Sequence, residues 1–402
     1  MKHRGRHRRR RRGQALRAFL AGTALALTGA ATLISTSQAT VGTDPGGLEP
    51  VTAAASLADL RLTEERIPRP APTVPDRPVG VAAVLADADR SLRAAADCTG
   101  AERSALPTAP AATRAHCWDE PGTDDWRTGA VTTSGDADDD GRWGAHRVIL
   151  SGWSDRQGHS RVAFVDADDP DRLSYAWVAL TVPAAAGGDP AGRPLRSDLS
   201  GMVWYQDKLL VTADEGRALY VYDLDRIRRT GAGTRASAPP ARGDRYALPA
   251  VSSYRLTGAR IGALSLDRST TPDSLVASES VPVGGDRPTR LWRYALHDGP
   301  SGAGLLGTGP REAYETKAAD VRGVLAHRSR WYLARAVGEH GTLWRQDGDG
   351  ARAARCGTDD TYLCWSGPAQ SLSHWAQSGE VWSQSGRMLF ALPLDAIDRA
   401  LG

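Results

Sequence analysis

Short runs of apolar and aromatic residues, separated by polar turns, recur through most of this chain and constrain its fold more than any other feature. Residues 200–224, SGMVWYQDKLLVTADEGRALYVYDL, contain three such runs, at Met202–Tyr205, Leu209–Thr212 and Leu219–Tyr222. Each run has the length of a short strand, and the clusters between the runs have the length of tight turns. This segment therefore predicts an antiparallel meander.

The same pattern occurs in five places, which indicates a repeated unit: residues 146–168, 200–224, 261–296, 322–348 and 374–394. Units of roughly 50–70 residues with three or four strands are typical of radially repeated sheets, because one such sheet cannot cover both of its faces alone. We therefore predict an all-β fold, a five- or six-bladed β-propeller of antiparallel meander sheets. Residues 118–131 supply a sixth blade or close the ring. A β-sandwich is the alternative, less favoured because its strands need not repeat as a unit.

The beginning of the chain has a different composition from the rest. Residues 1–39 combine a dense run of arginines, an apolar run from Ala18 to Ile34, and small residues at Ser37 and Ala39, which predicts a secretory signal peptide cleaved after Ala39. An uncleaved membrane anchor is the alternative. Residues 40–79 are rich in Pro and Ala and predict an extended or disordered leader. The propeller domain is predicted over residues 80–402, beginning with a short N-terminal helix in VAAVLADADRSLRAAADC.

Removal of residues 1–39 changes the charge balance of the protein. The full chain has 50 Lys and Arg against 47 Asp and Glu, and nine of the basic residues lie in the predicted signal peptide. The exported chain is then acidic, which argues against nucleic-acid binding because phosphate neutralisation requires a basic face. The chain contains no asparagine, so N-linked glycosylation is excluded. We expect no stable membrane span after cleavage, and a secreted, extracellular protein.

Four cysteines, Cys98, Cys117, Cys356 and Cys364, predict two disulfides in an exported protein. Three pairings are formally possible, and proximity in the sequence favours Cys98 with Cys117 and Cys356 with Cys364. A zinc site would need more ligands at closer spacing. Twelve tryptophans against three phenylalanines fit wide, flat gaps between stacked sheets, so we assign most tryptophans to the core.

Three segments of the chain resemble known exported proteins. The strings SGMVWYQDKLLVTADEGRALYVYDLDRI, SLDRSTTPDSLVASE and SLSHWAQSGEVWSQSGRMLFALP are similar to those of actinobacterial secreted β-propeller-like proteins of unknown function. The resemblance covers about residues 85–398 and implies the fold and export. It implies no activity and no catalytic residues.

One acidic segment has part of a calcium-binding pattern. In GDADDDGRWG, Asp136, Asp138 and Asp140 precede Gly141 at the spacing of the first half of a calcium loop. The twelfth position, where a bidentate acid is required, is Arg147. The segment is therefore interpreted either as an exposed acidic turn or as a structural calcium site, and we predict no other cofactor.

Polar residues at equivalent strand ends are the candidates for a binding site, since in a propeller these positions converge around the channel mouth. The candidates just after equivalent strands of the units are Trp153, Asp155, Asp214, Glu215, Glu279, Arg335, Glu339 and Gln384. Each of them is also compatible with an ordinary turn residue.

Three functions are consistent with the sequence. The preferred one is a binding or interaction protein whose partner is an extracellular protein, a glycan or a cell-wall component. The second is an extracellular hydrolase or lyase that uses a carboxylate pair such as Asp214 and Glu279. The third is an envelope-associated structural protein. The chain contains neither G-x-S-x-G nor H-E-x-x-H, so neither a serine hydrolase nor a zincin is indicated.

Overall fold

Antiparallel strands are the main secondary structure of the chain. The computed structural model describes residues 44–68, 78–119, 123–184, 192–230, 244–297, 303–337, 340–358, 361–367 and 369–402. The predicted signal peptide lies outside these residues. The described residues belong to one compact unit, Asp44–Gly402.

In chain order the strands are β1 Glu49–Pro50, β2 Leu62–Glu65, β3 Arg90–Ser91, β4 Arg93–Ala94, β5 Arg114–Cys117, β6 Trp126–Thr133, β7 Val148–Asp155, β8 Ser160–Asp166, β9 Ser174–Val182, β10 Arg193–Pro194, β11 Met202–Tyr205, β12 Lys208–Ala213, β13 Ala218–Asp223, β14 Arg228–Arg229, β15 Tyr246–Leu256, β16 Ile261–Asp267, β17 Ser274–Glu279, β18 Thr289–His297, β19 Gly304–Leu305, β20 Glu312–Thr316, β21 Val321–His327, β22 Arg330–Val337, β23 His340–Gln346, β24 Ala351–Ala353, β25 Trp365–Ser366, β26 Gln370–Trp375, β27 Glu380–Ser385 and β28 Met388–Pro393. The helices are α1 Ala54–Asp59, α2 Gly80–Ala86, α3 Gly100–Arg103, α4 Ser134–Ala137 and α5 Leu394–Leu401, with 3₁₀ turns at Ala95–Asp97 and Leu224–Arg226.

Twenty of these 28 strands form five antiparallel meanders of four strands each, and the other eight are short strands that pair with members of the meanders. Meander 1 is β6-β7-β8-β9, meander 2 is β11-β12-β13-β15, meander 3 is β16-β17-β18-β20, and meander 4 is β21-β22-β23-β24. Meander 5 is β26-β27-β28-β5, so its last strand comes from a part of the chain that precedes meander 1. Meanders 1 and 2 are joined into one sheet because β15 also pairs in parallel with β9. The prediction of an all-β chain of antiparallel meanders is thus confirmed.

The first strands of the five meanders, β6, β11, β16, β21 and β26, are here called the inner strands. Each inner strand contacts the inner strand of the next meander, and β26 contacts β6, so the contacts form a closed cycle. The buried side chains follow the same order. One apolar cluster lies between each pair of consecutive meanders, and a further one lies between meanders 5 and 1.

Each meander is apolar on both faces because it has a neighbour on both sides. In meander 1, Phe164 packs toward Trp204 of meander 2, whereas Ala163, the next residue, packs toward Trp382 of meander 5. Successive side chains of a strand point to opposite faces, so a strand that is buried on both faces has a continuous run of apolar residues in its sequence. The prediction that most tryptophans are core residues agrees with this packing, and Trp118, Trp153, Trp204, Trp292 and Trp375 are among the largest fully buried side chains.

A small residue lies near the start of every inner strand: Gly129, Gly201, Gly262, Gly323 and Ser371. At Gly129 an added Cβ would lie 2.6 Å from the carbonyl oxygen of Leu199, and at Gly201 it would lie 2.8 Å from Leu264 Cγ. Contacts this short leave no room for a side chain. The small residues therefore let the inner strands approach one another closely.

The segment before residue 80 differs from its prediction. Strand β2 pairs with β15, β1 pairs with β20, and Leu48, Leu60 and Leu62 are buried. The interpretation of residues 40–79 as an extended or disordered leader is therefore wrong for the described residues 44–68. The error arose because α1, β1 and β2 are too short to give a periodic signal, although their leucines fill gaps in the core.

The predicted N-terminal helix is shorter than expected. Helix α2 ends at Ala86, with Val81, Val84 and Leu85 buried, and the residues that follow form β3, β4 and a 3₁₀ turn. Asp87 ends the helix, where its carboxylate accepts a hydrogen bond from the Tyr246 hydroxyl at 2.5 Å. Both predicted disulfides, Cys98–Cys117 and Cys356–Cys364, are formed. Among the described residues, no helix is both long enough and apolar enough to span a bilayer.

Candidate functional site

Two cavities lie at the two ends of the inner strands. The N-end cavity, of about 440 Å³, lies where the inner strands begin, and the C-end cavity, of about 90 Å³, lies where they end. The N-end cavity is lined by Gly158, Arg196, Ser197, Asp198, Ser200, Asp214, Glu215, Arg260, Ile261, Gly262, Ser280, Val281, Asp320, Val321 and Arg322. Its size is that of a small-molecule or oligomer-binding site.

The turn between β12 and β13 supplies two carboxylates to the N-end cavity. Asp214 and Glu215 have φ values of 52° and 54°, a left-handed backbone that is unfavourable for residues with a side chain. Asp320, which also lines the cavity, has a φ of 53°. Strained backbone of this kind persists only where the surrounding structure holds it, and it is concentrated at binding sites.

Ion pairs hold most of the charged groups of the N-end cavity in place. Asp214 accepts a hydrogen bond from Arg255 at 2.7 Å, and Glu215 accepts one from Arg260 at 3.1 Å. Asp320 lies 2.8 Å from Arg322. All of these pairs lie near the surface, so they are weak individually and can be exchanged for ligand groups.

Arg196 is the exception among the arginines of this cavity. It is exposed, and its side chain makes no ion pair with the residues that the structure describes. Asp198, two residues further, accepts a hydrogen bond from the backbone N–H of Ser200 at 3.2 Å. The N-end cavity thus presents fixed carboxylates, paired arginines and one arginine available to a ligand.

The predicted site residues are distributed over several environments. Asp214 and Glu215 line the N-end cavity. Asp155 is the last residue of β7, and its carboxylate accepts hydrogen bonds from the N–H groups of Gln157 and His159 in the β7–β8 turn, both at 2.8 Å. Asp155 therefore has the role of an ordinary turn residue, which the sequence left open. Glu339 lies outside the described residues.

Trp153 and Gln384 are internal packing residues. Trp153 is fully buried, donates from Nε1 to Ser151 Oγ at 2.8 Å, and packs edge-on against Trp118. Gln384 Nε2 donates to the carbonyl oxygen of Gly129 at 2.7 Å, and its Oε1 accepts from Ser151 at 2.7 Å. The hydrogen bonds of Gln384 join meander 5 to meander 1, and Trp153 packs in the apolar cluster between these two meanders. Neither residue lines either cavity.

Glu279 and Arg335 also point into the protein. Glu279 is fully buried, and its carboxylate accepts two hydrogen bonds from Arg290, both at 2.8 Å, and one from Arg287 at 2.6 Å. Arg335 donates from Nε to the carbonyl oxygen of Ala319 at 2.7 Å, and burial lowers its pKa. Glu279 is absent from the lining of the N-end cavity, so the carboxylate pair Asp214 and Glu279 is not assembled there.

The possible calcium ligands do not come together. Asp136 belongs to α4 and is buried, where its Oδ2 accepts hydrogen bonds from Thr132 and Ser373, each at 2.7 Å. Burial raises the pKa of this carboxyl, which opposes the charged form that calcium requires. Asp138 and Asp140 instead accept bonds from backbone N–H groups of their own turn. Within the described residues, the carboxylates of these three aspartates do not lie close enough together to hold one metal ion. The interpretation of this segment as a structural calcium site is therefore wrong.

The C-end cavity is smaller and contains residues that the sequence did not single out. Its lining includes Asp136, Asp267, Arg268, His327 and His374. The two imidazole rings lie 5.1 Å apart between centroids, at an interplanar angle of 75°. Burial, together with His327, lowers the pKa of His374 to about 4, and burial lowers the pKa of His327.

Sequence reasoning missed the residues just before or within the start of each inner strand. Arg260 and Asp320 directly precede β16 and β21, Arg322 lies at a β-bulge in the pairing of β21, and all three line the N-end cavity. A bulge redirects side chains at the rim of a sheet. The small residue near the start of each inner strand could have located these positions, since it recurs once in every unit.

The sequence matches no known protein family, and no curated protein is similar to it at a significant level.

Proposed function

We propose that this chain is an exported, disulfide-stabilised five-bladed β-propeller that binds a cell-wall fragment in its N-end cavity. Three observations support the five blades: the five meanders, the cyclic contacts of the inner strands, and the one apolar cluster between each pair of neighbouring meanders. On this view β5 closes the ring by completing meander 5. Two disulfides fit an oxidising compartment outside the cytoplasm.

The observation that carries the function is the lining of the N-end cavity. It contains three arginines, Arg196, Arg260 and Arg322, together with four carboxylates, so it offers both signs of charge and few apolar side chains. An apolar ligand would gain little there. A ligand with hydroxyl groups and charges of both signs, such as peptidoglycan with its sugars and peptide stems, could replace the surface ion pairs by equivalent contacts.

Binding of the purified, exported protein to insoluble peptidoglycan tests this proposal. Arg196→Ala and Asp214→Asn should each weaken binding by about tenfold or more, because a hydrogen bond to a charged group contributes about 1.5–3 kcal/mol. Arg172→Ala is the matched control, since Arg172 is also exposed and lies outside the N-end cavity. Equal binding by the unmodified chain and the three variants, or no binding of the unmodified chain to peptidoglycan, would reject the proposal.

The same experiment separates binding from catalysis. If soluble fragments are released over time and Asp214→Asn abolishes their release, the protein is a hydrolase or lyase. We expect binding without release, because Asp214, Glu215 and Asp320 are each paired with an arginine and none of the four carboxylates of the cavity is buried, as a general acid requires.

A further inference from the structure

Three neighbouring inner strands place metal-binding types of side chain at the C-end cavity. Asp267 is the last residue of β16, His327 is the last residue of β21, and His374 is the penultimate residue of β26. These strands follow one another in the cycle of contacts. The fold therefore places His327 next to His374, although the two residues are 47 positions apart in the sequence.

The two histidines have unused ring nitrogens. Their rings contact each other, but neither makes a side-chain hydrogen bond to any residue that the structure describes. Both rings line a cavity of about 90 Å³, which has room for an ion and a few water molecules, since one water occupies roughly 30 Å³ in the liquid. Imidazole nitrogens without a protein partner are available to an ion or to water in this cavity.

The remaining polar groups of the C-end cavity already have partners. Asp267 accepts hydrogen bonds from Ser269 and lies 3.2 Å from Arg293. The Asp136 carboxylate accepts bonds from Thr132 and Ser373, and Arg268 donates to the Asp136 carbonyl oxygen at 2.8 Å. Asp267 Oδ2 and Arg268 Nε are buried without a hydrogen bond, but Arg293 neutralises the Asp267 carboxylate and a guanidinium does not bind a cation. The groups left to bind a cation are therefore the two imidazoles.

We propose that His327 and His374 together bind one divalent transition-metal ion, such as Zn²⁺, in the C-end cavity, with water as the other ligands. Two imidazole nitrogens on one zinc ion lie roughly 3.4 Å apart, because each Zn–N distance is about 2.0–2.1 Å and the geometry is tetrahedral. Rings whose centroids are 5.1 Å apart are compatible with this separation. Imidazole selects zinc, copper and nickel over calcium and magnesium.

Such an ion would link meander 4 to meander 5 through their inner strands. Only the folded protein holds the two imidazoles close enough together to bind one ion. The ion should therefore stabilise the fold, and the stabilisation should increase with the concentration of free ion. Its water ligands would keep positions open at the solvent side. This site does not depend on the ligand of the N-end cavity.

Equilibrium dialysis of the tag-free full chain against Zn²⁺, after treatment with a chelator, tests the proposal. We expect one ion per chain and a rise in the melting temperature on adding Zn²⁺. His327→Ala and His374→Ala should each lose most of the Zn²⁺ binding and most of the rise in melting temperature. His340→Ala should retain both, because His340 is exposed and lies outside the C-end cavity. Zinc binding that is unchanged in the His327 and His374 variants, or no binding by the unmodified chain, would overturn the proposal.

A spectroscopic measurement keeps the test decisive if a variant does not fold. Cu²⁺ bound to the unmodified chain should give an electron paramagnetic resonance spectrum with hyperfine coupling to two imidazole nitrogens. A spectrum of oxygen ligands alone would overturn the assignment of His327 and His374. The folding of each variant is checked by circular dichroism and by its melting temperature in the presence of chelator.

Discussion

Arg161 and Asp244 show how this protein accommodates charge in its interior. The Arg161 guanidinium lies between the rings of Trp126 and Trp177, 3.7 Å from each centroid, and 3.6 Å from the Asp244 carboxylate. Both residues are almost completely buried. Burial lowers the pKa of Arg161 to about 10 and raises the pKa of Asp244 to about 6, in each case against the attraction of the partner. Desolvation therefore outweighs the attraction between the two charges.

The raised pKa of Asp244 predicts a pH dependence of stability. The folded state binds the proton of this carboxyl more tightly than the unfolded chain, so its contribution to stability is largest below pH 4 and is lost as the pH rises through 6. Between pH 7.5 and pH 5 this group should raise the free energy of unfolding by about 1 kcal/mol. Urea unfolding of the unmodified chain and of Asp244→Asn, which cannot titrate, measures the difference. An identical pH profile in both proteins would contradict the prediction.

Backbone strain at the N-end cavity gives a second prediction at the scale of the residue. Glu215 has a positive φ, so Glu215→Gly should be more stable than Glu215→Ala by about 1 kcal/mol, because both lose the ion pair to Arg260 and only glycine relieves the strain. Thermal melting measures the difference. Equal stability of the two variants would mean that the turn changes conformation without cost.

The candidate site could be predicted in part because strand ends are visible in the sequence. Asp214 and Glu215 follow β12 directly, and both line the N-end cavity. Glu279, at the end of β17, and Gln384, within β27, were misjudged, because a shift of one residue in a strand moves a side chain to the other face. The pairing of His327 with His374 depends on which strands are neighbours, and no local pattern contains that information.

At the scale of the element, the inner strands combine pairing within a meander with close approach between meanders. The sequence predicts the meanders because each strand is a short apolar run next to a turn. It does not reveal how closely the inner strands approach, which depends on Gly129, Gly201 and their equivalents. The small residue recurs only once in every 60 residues or so, and a repeat this long is not visible within any single strand.

Gly129 should therefore be sensitive to a single added methyl group. Its Cβ would lie 2.6 Å from the Leu199 carbonyl oxygen and 2.8 Å from that of Asp198, both backbone atoms that cannot move without displacing the chain. Gly129→Ala should destabilise the protein by about 2 kcal/mol, the usual cost of overpacking. Gly307→Ala is the control, since no atom lies within 4 Å of its added Cβ. Chemical unfolding compares the two, and similar stabilities would mean that the inner strands can separate easily.

At the scale of the whole molecule, the beginning of the folded chain stabilises meanders that lie far away in sequence. Strand β1 extends meander 3 beyond β20, β2 pairs with β15 of meander 2, and β5 completes meander 5. The Tyr294 hydroxyl donates to the carbonyl oxygen of Leu60 at 2.5 Å, and Arg290 lies 3.2 Å from Asp59. Residues that precede the repeated units thus connect several of them.

Leu60 tests whether residues 44–68 are an integral part of the fold. Its side chain is completely buried in the cluster between meanders 2 and 3, so Leu60→Ala should reduce the free energy of unfolding by about 3 kcal/mol, within the range for buried leucines. Leu306→Ala is the matched control, because Leu306 is 61% exposed and should change stability by less than about 0.5 kcal/mol. Urea denaturation measures both. If Leu60→Ala were as stable as Leu306→Ala, this segment would not be part of the cooperative core, and the original leader interpretation would be restored.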